Sequence, residues 1–140
     1  MVQCGKQKYI PYTEQKMGTI LIVEDSETVR SELKIIVEGL EHTAILAPNG
    51  AKGYEEWTKN KDICLILSDV YMPVMDGLEM CEQIYNNLGD RKMPSILMIT
   101  TETNQEMKKK AKGIGISGWI LKPFNPEIIS QVIFDILKKD

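Results

Sequence analysis

The sequence predicts an α/β fold, a doubly wound parallel sheet with helices on both faces. Five runs of five or six residues are almost wholly apolar, which suits strands covered on both sides. Each run is followed by a segment with helical apolar spacing, and most of those segments open on a capping residue. The five pairs follow one another with no repeat or linker between them. Strict alternation of this kind gives a parallel sheet joined by right-handed crossover helices.

The elements read in order as follows. Residues 1–17 are polar, include Pro11 and show no period, so they read as a flexible leader before a single domain over 18–140. "TILIV" (19–23) is the first strand, and Ser26 caps a helix carrying Val29, Leu33, Ile36 and Leu40. "TAILA" (43–47) is the second strand, with Asn49 capping a helix that carries Ala51, Tyr54 and Trp57. "ICLIL" (63–67) is the third. Asp76-Gly77 then opens a helix with Leu78, Cys81, Ile84, Tyr85 and Leu88 on one side. "SILMIT" (95–100) is the fourth strand, followed by a Lys-rich helix over 104–112 with Met107 and Ala111 as its apolar contacts. "GWILK" (118–122) is the fifth. Asn125-Pro126, a cap and a first-turn proline, starts the last helix, with Ile129, Val132, Ile133, Ile136 and Leu137 as its stripe.

Composition narrows the function. At 43% hydrophobic residues the chain is too apolar for disorder, and 140 residues suffice for one core. The net charge of −3 excludes a generally basic nucleic-acid binder, and the Lys108-Lys109-Lys110 run with Lys112 reads as the solvated face of a helix. Three cysteines, Cys4, Cys64 and Cys81, form neither a disulfide framework nor a zinc site. Cys64 and Cys81 read as inert core thiols and Cys4 as exposed. His42 is the sole histidine, so no His-based triad exists. No apolar signal core or membrane-length segment occurs, and a cytoplasmic protein without membrane contact is expected.

Chemistry concentrates at the strand ends. Glu24 and Asp25 follow the first strand, Asp69 the third; Thr100 ends the fourth and Lys122 the fifth. In an open parallel sheet, ligands bind beyond the carboxyl ends of the strands where their order reverses. For the flavodoxin-like order 2-1-3-4-5 that point lies between strands one and three, which deliver all three carboxylates. Two charges about 4 Å apart repel by roughly 4 kcal/mol at intermediate dielectric. Lys122 offsets one charge and a dication offsets two. An all-oxygen ligand set selects Mg²⁺, or Mn²⁺, over zinc. Carboxylates, Mg²⁺, an ammonium and a hydroxyl together suit a phosphoryl group, and a carboxylate nucleophile forms an aspartyl phosphate.

Glu24-Asp25, "SDVYMPVMDG" (68–77), "MITTE" (98–102) and "LKPF" (121–124), in this order and each at a strand end, resemble the motif set of response-regulator receiver domains over residues 18–139. The resemblance implies that Asp69 is the phosphoacceptor. It implies Asp25, Asp69 and the backbone carbonyl of Tyr71 as Mg²⁺ ligands, with Glu24 as a companion acid acting through a metal-bound water. Lys122 would pair with the phosphoryl oxygens, and Thr100 would be the switch hydroxyl. The Lys122–Pro123 bond is often cis in such domains. The implied partners are a sensor histidine kinase or histidine phosphotransfer protein and a downstream effector protein, not nucleic acid. Phosphorylation of this CheY-like domain would switch the surface of the fourth helix, fifth strand and fifth helix. Such a protein is no enzyme beyond its own phosphorylation and dephosphorylation. Trp119 stands where Tyr or Phe is usual, and reads either as a switch aromatic or as a static interface residue. Tyr71 and Glu102 occupy the rim positions that in this family tune attack of water on the acyl phosphate.

Three rivals are weaker. A small-molecule phosphohydrolase of the haloacid-dehalogenase type carries a second Asp two residues after its nucleophile, where this chain has Tyr71. A phosphorylation-independent receiver-like scaffold does not need the intact acids and lysine. A flavodoxin would not place the acidic "EDSET" where FMN phosphate binds.

Overall fold

The computed structural model describes residues 17–138. The expected leader, with Cys4 in it, lies outside that range apart from Met17, as do the last two residues.

Strands and helices alternate as β1 (Thr19–Val23), α1 (Glu27–Gly39), β2 (Thr43–Ala47), α2 (Gly50–Lys59), β3 (Ile63–Ser68), α3 (Gly77–Asn86), β4 (Ser95–Thr100), α4 (Gln105–Gly113), β5 (Gly118–Leu121) and α5 (Pro126–Lys138). The strands form one parallel sheet in the order β2-β1-β3-β4-β5, the flavodoxin-like arrangement expected. Successive strand side chains point to opposite faces. Leu21 and Val23 therefore join the core under α2, α3 and α4, while Ile20 and Ile22 join the core under α1 and α5. Each fully buried Leu or Ile contributes about 1.5–3 kcal/mol, and both faces collect it, hence the unbroken apolar runs.

The caps lie where the sequence indicates. Ser26 Oγ accepts from Val29 N and Asn49 Oδ1 from Lys52 N. Asp76 and Glu79 form a reciprocal capping box at the start of α3. Asn104, expected inside the fourth helix, is its N-cap instead. β3 extends to Ser68, and β5 stops at Leu121, so Lys122 lies one residue beyond its strand.

Three expected core positions move. The buried stripe of α3 runs through Gly77, Met80, Cys81 and Ile84. That leaves Tyr85 at its margin, 53% exposed, and Leu88 beyond the helix end, though still packed on the core. Leu40 is the C-cap of α1 and still packs on the core, while Val37 is the fully buried residue of the last inner turn. Burial pushes the Cys81 thiol up to about 12, with Asp76 and Glu82 adding to the effect, so it is inert. Cys64 is only half-buried, and its Sγ donates to the carbonyl of Thr19. Lys109, Lys110 and Lys112 of α4 are exposed, as a solvated face requires. No helix among the described residues is long and apolar enough to cross a membrane.

Candidate functional site

The site begins with the ends of β1 and β3, which pair in register at Val23 and Ser68. The next residues, Glu24 and Asp69, leave the sheet side by side. Glu24 N donates to Ala47 O and Asp69 N to Val23 O, so both are held by the sheet's own ladder. Glu24 is 1% exposed and Asp69 8%, whereas Asp25, one residue further along, is exposed. Carboxylate oxygens of Glu24, Asp25 and Asp69 lie within 4.8 Å of one another.

Asp69 is held from several sides. Its Oδ1 accepts from Val70 N at 2.6 Å and Tyr71 N at 3.3 Å, and its Oδ2 accepts from Lys122 Nζ at 2.7 Å. Behind it, Gly77 N donates to Val70 O, and a Cβ on Gly77 would sit 2.1 Å from the Asp69 carbonyl oxygen. Only glycine permits that approach. Gly50 is held against the same loop by its N–H to Met75 O.

Lys122 also donates to Glu24 Oε1 at 2.8 Å, and Glu24 Oε2 accepts from Ser26 N at 3.0 Å. Both Glu24 oxygens are thus engaged. Burial raises the Glu24 carboxyl above its usual range, with Lys122 and the Ser26 N–H opposing the rise and the Asp69 charge adding to it. Burial alone would lower the Lys122 ammonium, but its hydrogen bonds to Asp69 and Glu24 prevail and raise it. The lysine is therefore charged and bridges two of three crowded acids. A hard-oxygen set with an excess of negative charge fits a divalent cation such as Mg²⁺.

The mouth is formed by two loops. Tyr71 OH donates to Glu102 Oε1, joining the loop after β3 to the loop after β4. Glu102 N donates to Thr100 Oγ1 at 3.3 Å, Glu102 Oε2 accepts from Asn104 N, and the Glu102 carbonyl accepts from Trp119 Nε1 at 2.9 Å. Thr100 is fully buried. Trp119 is half-buried on β5, with Lys108 Nζ 5.9 Å from its ring centre. The Lys122–Pro123 bond is cis.

All the residues singled out from sequence fall at this end of the sheet. Sequence reasoning missed Arg30, whose Nη1 donates to the Glu24 carbonyl at 2.7 Å. Its only signal was a cation one turn into α1, five residues after Asp25.

Comparison with known proteins agrees. The chain is 33% identical to a chemotaxis protein CheY homolog of Campylobacter jejuni over 119 residues, 84% of this chain and 91% of that protein. It is 32% identical to the transcriptional regulatory protein SrrA of Staphylococcus aureus, over 81% of this chain but 45% of that protein. The crystal structure of the chemotaxis response regulator CheY4 of Vibrio cholerae superposes with a TM-score of 0.78 at 33% identity, covering 87% of this chain and 100% of that one. Residues 20–134 match the sequence model of the response regulator receiver domain. With the acids, the lysine and the sheet order in place, this chain belongs to the response-regulator receiver domains, the CheY-like receivers of two-component signalling.

Proposed function

We propose that Asp69 accepts a phosphoryl group from the phosphohistidine of a sensor histidine kinase or histidine phosphotransfer protein. An Asp69 oxygen attacks phosphorus, the phosphorus–nitrogen bond to histidine breaks, and the imidazole takes up a proton. The observation that supports this most is the Asp69 carboxylate, one oxygen held by two backbone N–H groups and the other by Lys122 at 2.7 Å. Lys122 follows the charge from the carboxylate onto the phosphoryl oxygens. Positioning and electrostatic stabilisation account for most of the catalysis in such transfers.

Asp25, Asp69 and the carbonyl of Tyr71 would hold Mg²⁺, and Glu24 fits as a companion acid because both its oxygens are already engaged. The ion, when bound, neutralises charge on the phosphoryl oxygens. Thr100 then donates its hydroxyl to the new group. Its movement acts on Glu102, and through the Glu102 carbonyl on Trp119 and the face of α4, β5 and α5 that a downstream effector protein reads. In this reading the protein is a cytoplasmic switch that turns over only its own phosphoryl group.

Incubation with acetyl phosphate and Mg²⁺, followed by intact mass, tests the proposal. The expected result is a gain of one phosphoryl group, absent without Mg²⁺ and absent in Asp69→Asn. Equal uptake by Asp69→Asn contradicts it.

A further inference from the structure

The turn between β1 and α1 is held by a cation with no part in the chemistry above. Arg30 is half-buried in the first turn of α1. Its Nη1 donates to the Glu24 carbonyl at 2.7 Å and lies 3.5 Å from the Asp25 carbonyl. Among the described residues it forms no ion pair. The guanidinium is committed to main-chain oxygens, a charge-assisted contact stronger than a neutral one.

The two acids of this turn are held differently. Glu24 is fixed by its own side chain, through Ser26 N and Lys122. The exposed Asp25 carboxylate makes no hydrogen bond among the described residues, so the backbone beneath it sets its position. That backbone leaves a strand and enters a helix capped by Ser26 within three residues. Arg30 reaches back across it from the helix side.

We infer that Arg30 is a positioning residue: by holding the carbonyls of Glu24 and Asp25 it aims the Asp25 carboxylate at the cation shared with Asp69. This rests on the metal-site reading given above. Groups behind metal ligands commonly set affinity by tenfold or more. The sign of the effect separates positioning from simple charge. An arginine acting only as a nearby positive charge would repel a dication, and its removal would tighten binding. An arginine that positions Asp25 weakens binding when removed.

Mn²⁺ serves as the probe, with the free ion counted by its paramagnetic resonance signal. Wild type, Arg30→Ala, Arg30→Gln and Arg30→Lys are titrated well below their melting points, which are recorded in EDTA. Arg30→Ala is expected to bind Mn²⁺ about tenfold more weakly, and Arg30→Lys to regain most of that loss. Arg30→Gln, which keeps a donor without the charge, is expected to fall below wild type and covers the case of an alanine variant that does not fold. Binding as tight as wild type or tighter in the alanine or glutamine variant overturns the inference, as does a lysine variant with no recovery. Wild type that takes up no Mn²⁺ overturns the metal-site reading itself, a different result from any of these.

Discussion

Asp25 is the exposed member of three crowded carboxylates, and Lys122 bridges the other two. In metal-free solution its charge is therefore a cost. Asp25→Asn should raise stability without metal by about 1 kcal/mol, roughly 4 °C in melting temperature. Mg²⁺ should raise the melting temperature of wild type, since it binds the folded state alone, and leave Asp25→Asn nearly unmoved. Thermal melts in EDTA and in Mg²⁺ check both halves, and a variant that melts lower than wild type in EDTA contradicts the crowding argument. His42 gives the pH dependence. Its Nδ1 accepts from Gly18 N at 3.0 Å, and burial lowers its pKa. A depressed folded value means the contribution is present above the ordinary histidine pKa and is lost as pH falls through the folded value. Wild type should therefore lose more melting temperature than His42→Gln between pH 7.5 and roughly pH 5.

Among the elements, the loop from Asp69 to Asp76 carries a strained residue. Met75 N donates to Pro73 O across a three-residue turn, which leaves Val74 at φ 72 and 83% exposed. A β-branched residue in the left-handed region costs on the order of 1 kcal/mol or more. Val74→Gly should stabilise by about 1 kcal/mol, read as an upward shift of the urea midpoint at unchanged slope. The same loop shows what sequence reveals and what it hides. The strands were legible because a strand buried on both faces has to be apolar throughout, and the caps because Ser26, Asn49 and Asp76 act within three residues of themselves. Glu24, Asp25, Asp69, Thr100 and Lys122 were legible because each ends a strand or lies within two residues of a strand end. Arg30 and His42 were not read in these roles, because their partners are backbone groups and a backbone partner leaves no mark on residue type. Glu102 was read as a rim residue but not as the link to Trp119, because that link runs through its own main-chain carbonyl. The inner stripe of α3 was misjudged at Tyr85 because Met80 and Gly77, not the bulkier tyrosine, face the sheet.

At the scale of the whole molecule, the sheet separates two cores and carries the site at one end. Its two edge strands, β2 and β5, are followed within two residues by Pro48 and Pro123, which lack the N–H that would extend an edge. Leu97, 1% exposed at mid-sheet, pairs with Leu67 two residues before Asp69, and its side chain packs in the core under α1 and α5 rather than among the acids. Leu97→Ala should cost about 3 kcal/mol of the 5–15 kcal/mol typical of a domain. Mg²⁺ affinity should be unchanged wherever the variant is folded, as denaturant and metal titrations can show. That result would show core and site to be separable; the proposed chemistry itself converges on one carboxylate. Reduction of the phosphorylated protein with borohydride converts an aspartyl phosphate to homoserine, and peptide sequencing by mass spectrometry locates it. Homoserine at position 69 alone is the result expected, while homoserine at position 25, or at no position despite phosphoryl uptake, contradicts the account.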